Sequence, residues 1–186
     1  MRHRLFGLAA GIVLLCATAG CTSAAAGAPH KVPPPSSATR PPAEYAGGAC
    51  QLMDFDVVSA VLGVRFEVAG AGNVDDTYTC VLQRVDVRLP DLSLAVTPTL
   101  ADTGLFHDKV IPKGAAVLSD LGKLGYSRPM PASGDAGPGV EVGWLSGNQR
   151  LMVLRYRGPA GTVPGDVTAL GPKLVDLAKK VDQASE

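Results

Sequence analysis

The hydrophobic positions of this chain fall into three regimes. Leu5–Leu15 is unbroken by any polar side chain (LFGLAAGIVLL), Thr22–Gly48 shows no period, and from Ala49 onward short helical and strand periods succeed one another. In that last region Asp54 stands ahead of Val57, Val58, Val61 and Leu62, which fall near helical spacing, and Gly63 follows. The pattern predicts a helix over Phe55–Leu62, capped by Asp54 and stopped by Gly63. Val64–Val68 reads as a short strand and Ala69–Thr77 as a loop rich in Gly, Asn and Asp. Tyr78–Val87 alternates as a strand with Cys80, Leu82 and Arg84 on one face, and Leu92–Thr97 is a further strand after a turn at Pro90-Asp91.

The second half repeats these ingredients. Leu100–Val110 has a helical pattern weakened by Gly104, and Ser127–Gly139 reads as a Pro/Gly/Ser loop. Val140–Trp144 and Arg150–Tyr156 flank Ser146-Gly147-Asn148 as a hairpin. A last helix is expected over Val167–Val181, interrupted early by Gly171-Pro172, with Leu174, Leu177, Ala178 and Val181 as its apolar stripe. The layout predicts an α+β domain over residues 49–186: an antiparallel sheet with helices packed on one face.

The N-terminal regime changes the picture. Arg2, His3 and Arg4 precede the apolar run, and Ala17, Thr18, Ala19 and Gly20 follow it. A permanent membrane helix needs roughly 20 apolar residues, so the run is short, and the pattern is that of a secretory signal over residues 1–20. Ala19-Gly20-Cys21 has the form of the end of a bacterial lipobox, with Thr18 where a Leu-like residue usually stands. Cys21 is therefore expected to carry a diacylglyceryl group as the first mature residue; the alternative is ordinary secretion with Cys21 a free thiol. Residues 21–48, dominated by Ala, Pro, Ser and Gly, are expected to be a disordered tether. A proline-rich ligand for a partner domain is the other reading of that segment.

Charge adds exclusions. The chain has 17 basic and 17 acidic residues, and removal of the signal takes away Arg2 and Arg4 and no acid. No basic run marks a nucleic-acid footprint, and Trp144 is the one Trp. With Cys16 removed and Cys21 lipidated, Cys50 and Cys80 remain, and in an oxidising compartment such a pair is expected to be a disulfide. Their spacing is not CxxC, and no third Cys joins them in a zinc set.

A Cys entering a short Gly-terminated helix (Cys50 to Gly63), a strand Cys (Cys80), an LG-x-LGY phrase (Leu121 to Tyr126), a hairpin and a closing helix together resemble the actinobacterial cell-envelope lipoproteins, the mycobacterial ones among them. The resemblance covers most of residues 49–186. It implies an α+β sandwich on a surface lipoprotein, and it implies no catalytic residues.

Each candidate for chemistry has an ordinary structural role beside it. His107, with Asp102 and Asp108 nearby, is the one His of the domain, but no Ser stands in a GxSxG elbow, and Ser146 lies in a turn. Asp75-Asp76 lacks the ligand ladder of a calcium loop, and Asp54 and Asp56 suit helix capping. Glu67 lies at an element end and Asp135 in a polar loop. Gly70-x-Gly72 and Gly137-x-Gly139 lack the strand–helix context of a phosphate loop. Arg150, Arg155 and Arg157 lie near the hairpin, and Arg155 and Arg157 share a strand face that suits either solvent or an anionic head group. Leu151, Val153 and Val142 are expected in the core. No catalytic residue, metal site or cofactor is expected.

The sequence thus predicts a lipid-anchored lipoprotein on the outer side of the cell membrane. Its role is expected to be non-catalytic, binding an envelope protein, glycan or lipid, or structural. The alternative is a carrier of a hydrophobic or lipid ligand in an internal pocket. At 46% hydrophobic residues with four Phe and four Tyr, a core and a large cavity compete for the same side chains, which favours the first.

Overall fold

The computed structural model describes residues 42–186. The expected signal peptide, Cys21 and the tether up to residue 41 lie outside the described residues. Two 3-10 turns, Ala43–Ala46 and Gly48–Leu52, precede helix α1 (Phe55–Leu62). Strands β1 (Val68–Val74), β2 (Thr77–Gln83) and β3 (Asp91–Pro98) follow. A short helical turn α2 (Thr103–Leu105) runs into a π-helical turn, Phe106–Val110. Then come β4 (Ala116–Leu118), β5 (Leu124–Met130), β6 (Ala136–Leu145), β7 (Arg150–Pro159) and helix α3 (Pro164–Ser185). The expected α+β class is the class observed.

All seven strands form one antiparallel sheet in the order β1-β2-β3-β7-β6-β5-β4. It consists of two meanders, β1–β3 and β4–β7, joined where the last strand returns beside β3. Directly paired residues share a face. Three rows therefore cross the centre on one side: Leu92–Tyr156–Val140, Leu94–Leu154–Val142 and Val96–Met152–Trp144. All nine side chains are buried. The α3 stripe of Leu174, Leu177, Ala178 and Val181 packs in this core, as do Phe55, Val58 and Leu62 of α1. Fully burying one Leu or Val side chain contributes about 1.5–3 kcal/mol, so this layer is the main source of stability.

Two specific ties lock it. Cys50 and Cys80 form a buried disulfide that fastens the second 3-10 turn to β2. Trp144 Nε1 donates to Asp182 Oδ1 at 2.8 Å, a buried bond that fastens α3 to β6. The cap on α1 is as expected: Asp54 Oδ1 accepts from the backbone N–H of Asp56 and Val57, and Gly63 closes the helix at φ 73°. The LG-x-LGY phrase also has a packing role. Gly122 has φ 56°, and a Cβ there would collide with the Leu145 carbonyl; a Cβ at Gly125 would lie 3.1 Å from Leu121 Cδ2. These glycines let Leu121 fold back into the main core.

Several elements differ from expectation. Residues 42–48 are not part of a disordered tether: Ala43 is buried in the core. Val64–Glu67 is irregular, while Val68–Val74, expected largely as loop, is an edge strand that turns through Asp75 at φ 50°. Its Gly70, Gly72 and Asn73 carry no apolar alternation; backbone pairing with β2 and packing against the two N-terminal 3-10 turns hold it, with Ala69 against the core. A strand was expected to run to Val87, but β2 ends at Gln83 and leaves Arg84 exposed outside it.

The Ser127–Gly139 loop is mostly strand as well. Pro129 pairs with Val140, and β4 covers β5 only from Gly125 to Ser127. Pro129 thus lies on an outer edge, where a missing N–H is tolerated. Leu100–Val110 yields only the short α2 and its π turn. Conversely, α3 runs unbroken through Pro172, because the buried stripe beyond the proline outweighs one lost backbone bond.

Replacing Cys50 and Cys80 together by Ala should lower unfolding free energy by about 2–4 kcal/mol. Urea denaturation of oxidised, reduced and double-Ala protein measures this. An unchanged midpoint would show that the bond adds nothing to stability.

Candidate functional site

The other face of the sheet is organised around a charge. Glu141, in the middle of β6, is 1% exposed. It stands directly opposite Arg128 of β5 on one side and Arg155 of β7 on the other, and Arg155 stands opposite Ser93 of β3. Glu141 Oε1 accepts from Arg128 Nε at 2.7 Å and from Tyr126 Oη at 3.0 Å. Glu141 Oε2 accepts from Arg155 Nε at 2.5 Å. A buried carboxylate is tolerable only when paired and hydrogen-bonded. Burial by itself would raise the Glu141 carboxyl, but the Arg128 and Arg155 bonds outweigh it and hold the group below the ordinary carboxylate range.

Local sequence places each partner. Gly143 stands opposite Tyr126, and a Cβ at Gly143 would lie 2.7 Å from Tyr126 Oη. The absence of that Cβ lets the ring lie across β6 and reach Glu141. Burial, then the negative charge of Glu141, pushes the Tyr126 phenol up to about 12. The same ring packs against Phe106, centroids 6.2 Å apart. Phe106, Tyr126 and Leu145 form a second, smaller core with Val110, Ile111 and Leu151 around it. The π turn thus covers one end of this face.

Away from that end the face carries an open cleft of about 600 Å³. Beyond the Glu141 row lies the row Met130–Gly139–Arg157–Asp91. Arg88, from the segment between β2 and β3, and Asp135, from the β5–β6 turn, complete the rim. Burial raises the Asp91 carboxyl against the opposing pull of Arg157 and Arg88. Four arginines and three acids therefore line the cleft. The acid among them bonded to Arg128 and Arg155 has both oxygens occupied, which makes Glu141 a brace for guanidinium groups and not a free base or nucleophile.

A second concavity, about 830 Å³, lies on the helix-bearing side. Pro129, Pro131, Pro138, Val140 and the start of α3 at Pro164 and Val167 line it. It is an open apolar groove, and it shares Arg128, Met130 and Ala136 with the polar cleft. The two meet around the tip of the β5–β6 hairpin.

Of the residues singled out in the sequence, Arg155 and Arg157 come together in the cleft, whereas Arg150 lies in a separate depression beside Pro98 and Tyr78. His107 is exposed and bonds the adjacent Asp108 at 2.9 Å, while Asp102 is turned away to cap the Leu105 N–H at 2.7 Å. Ser146 Oγ accepts from the Arg150 N–H at 3.3 Å within the hairpin turn. Asp54 is occupied by its cap, Asp75 and Asp76 form the β1–β2 turn, and Glu67 lies near Arg65 at 3.7 Å. Gly70 and Gly72 lie in β1, and Gly137 and Gly139 in β6. Val142 is in the main core, but Leu151 and Val153 point to the opposite face, Leu151 against the Phe106 cluster. Among the described residues no three His, Cys, Asp or Glu side chains gather as a metal set.

Sequence reasoning missed Glu141, Arg128, Asp91 and Arg88. One signal was available: Glu141 interrupts the apolar run of Val140, Val142 and Trp144 in a strand that is buried along most of its length. Comparison of the chain with protein-family models, curated protein sequences and solved structures finds no match to any of them.

Glu141→Gln should cost about 1–3 kcal/mol, because two partly exposed guanidiniums lose their counter-charge; Tyr126→Phe should cost about 1 kcal/mol. The folded Glu141 pKa is lowered, so its contribution is complete above the unfolded carboxylate value of about 4.3 and is lost as pH falls through the lower folded value. Urea midpoints across pH 2–7 should therefore show the gap between wild type and Glu141→Gln closing on acidification. A gap constant with pH would contradict the charged brace.

Proposed function

We propose that this protein is a lipid-anchored lipoprotein of the cell envelope, held to the outer side of the membrane through Cys21, whose folded domain binds a ligand without transforming it. The observation that carries the binding role is the open polar cleft. Three of its charged side chains, Arg128, Glu141 and Arg155, are already fixed to one another across β5, β6 and β7, and their geometry suits holding a partner. The short apolar run ending in Ala19-Gly20-Cys21 supports the anchor, and the disulfide Cys50–Cys80 suits an oxidising compartment. The resemblance to actinobacterial envelope lipoproteins points the same way.

One observation favours a second reading, a carrier of a hydrophobic or lipid ligand. It is the apolar groove between the β5–β6 hairpin and the start of α3. This groove is open, so a ligand there would lie against the surface and not in an internal pocket.

Cys21→Ala should move the protein from the detergent phase to the aqueous phase on Triton X-114 partitioning. A single acyl chain binds membranes marginally and two or more anchor stably, so the shift should be large; continued detergent partitioning of the variant would overturn the anchor. For the binding role, full-length protein should carry a component of an envelope lipid and glycan extract through size exclusion with its mass unchanged. Recovery of a hydrolysed or group-transferred product would replace binding by catalysis.

A further inference from the structure

We propose that the cleft on the open face of the sheet is a binding site for a phosphate monoester, held by the guanidinium groups of Arg88, Arg128, Arg155 and Arg157. The proposal rests on the binding reading above and names the ligand chemistry.

Glu141 bonds Arg128 and Arg155 through their Nε atoms alone. Their terminal Nη groups make no hydrogen bond among the described residues, and their side chains are 39% and 48% exposed. The buried carboxylate thus fixes the planes of two guanidiniums from behind and leaves their forks facing the cleft. Arg157 follows Arg155 by two residues on β7, about 7 Å along the strand on the same face. The one side-chain hydrogen bond it makes to a described residue is a long one, 3.4 Å from Nη1 to the Pro131 carbonyl. Gly139, opposite Arg157, contributes no side chain to the floor. Arg88 faces this row from the β2–β3 segment and acts electrostatically on Asp91.

Donors therefore converge from β5, from β7 and from the β2–β3 segment. A tetrahedral dianion accepts hydrogen bonds from several directions at once, and arginine forks match its oxygens in pairs. A carboxylate presents two oxygens in one plane, whereas a phosphate monoester presents three about a tetrahedron, which suits donors that arrive from three elements. Asp91 is the internal competitor, because it lies directly opposite Arg157. The phosphate can belong to a lipid head group or to a free phosphorylated molecule. The apolar groove that adjoins the cleft at Arg128 and Met130 offers room for an acyl chain in the first case.

The test is calorimetric titration of the full chain with glycerol 3-phosphate, with dioctanoyl phosphatidic acid and with dioctanoyl phosphatidylcholine. Both phosphate monoesters should bind. Arg88→Gln with Arg157→Gln should weaken them about tenfold or more, and Asp91→Asn should tighten them. Neither Arg88 nor Arg157 bonds Glu141, so the double variant should keep the wild-type melting temperature, and equal melting confirms that lost binding is not lost folding. Arg150→Gln, on the same strand but outside the cleft, should leave binding unchanged. Equal affinity for the two monoesters identifies a free phosphate ligand; much tighter binding of phosphatidic acid identifies a lipid head group. Absence of phosphate binding overturns the proposal, as does equal weakening by Arg150→Gln or phosphatidylcholine binding as tight as phosphatidic acid. If the envelope component retained on size exclusion carries no phosphate, this inference fails while the binding reading stands; if nothing is retained, that reading fails by itself.

Discussion

A sheet has two faces, and in this domain the main helix layer covers only one. The second face must bury its centre by other means, and it does so with the Glu141 carboxylate locked between Arg128 and Arg155. Burying that charge costs several kcal/mol unless its partners are in place. The interaction therefore fixes the register of β5, β6 and β7 from the open side. It also sets the Tyr126 ring, and through Tyr126 the Phe106 cluster and the π turn that closes one end of the face.

The covered face answers to a different constraint. Two meanders, β1–β3 and β4–β7, meet only along β3 and β7. The three buried rows across that seam make one core of them, and the ties at either side stop them sliding. The disulfide holds the N-terminal turns to β2, and the Trp144–Asp182 bond holds α3 to β6. The open cleft is thus carried on central strands whose backs are packed against helices. The backbone that carries the cleft, and the Arg128 and Arg155 guanidiniums bonded to Glu141, therefore have little freedom left.

The two concavities acquire their relation from the β5–β6 hairpin. Beyond Ser127 the outer edge of β5 is uncovered by β4. The side chains of Arg128 and Met130 lie on the open face, while Ser127 and Pro129 lie on the helix side. A polar cleft and an apolar groove therefore flank the same short edge segment. A ligand with a charged head and an apolar tail would find both within one molecule's reach.

The sequence by itself determined the local features. Asp54 and Gly63 specify the ends of α1, the alternation around Ser146-Gly147-Asn148 specifies the central hairpin, and the spacing of Leu174, Leu177, Ala178 and Val181 specifies the buried face of α3. Two cysteines in the folded region limited the disulfide to one pairing there. These signals are short-ranged, so a window of residues contains them. Tertiary structure alone decided the rest. Strand β1 has no apolar alternation and exists because β2 offers it backbone partners, and Pro129 is in a strand because its edge faces no neighbour. Glu141, Arg128 and Arg155 come from three strands, and Arg88 and Asp91 come from a segment far away in sequence. Only the return of β7 between β6 and β3 brings them to one face, since hydrogen-bonded register across strands, unlike periodicity within one, is not written in any single segment of the chain.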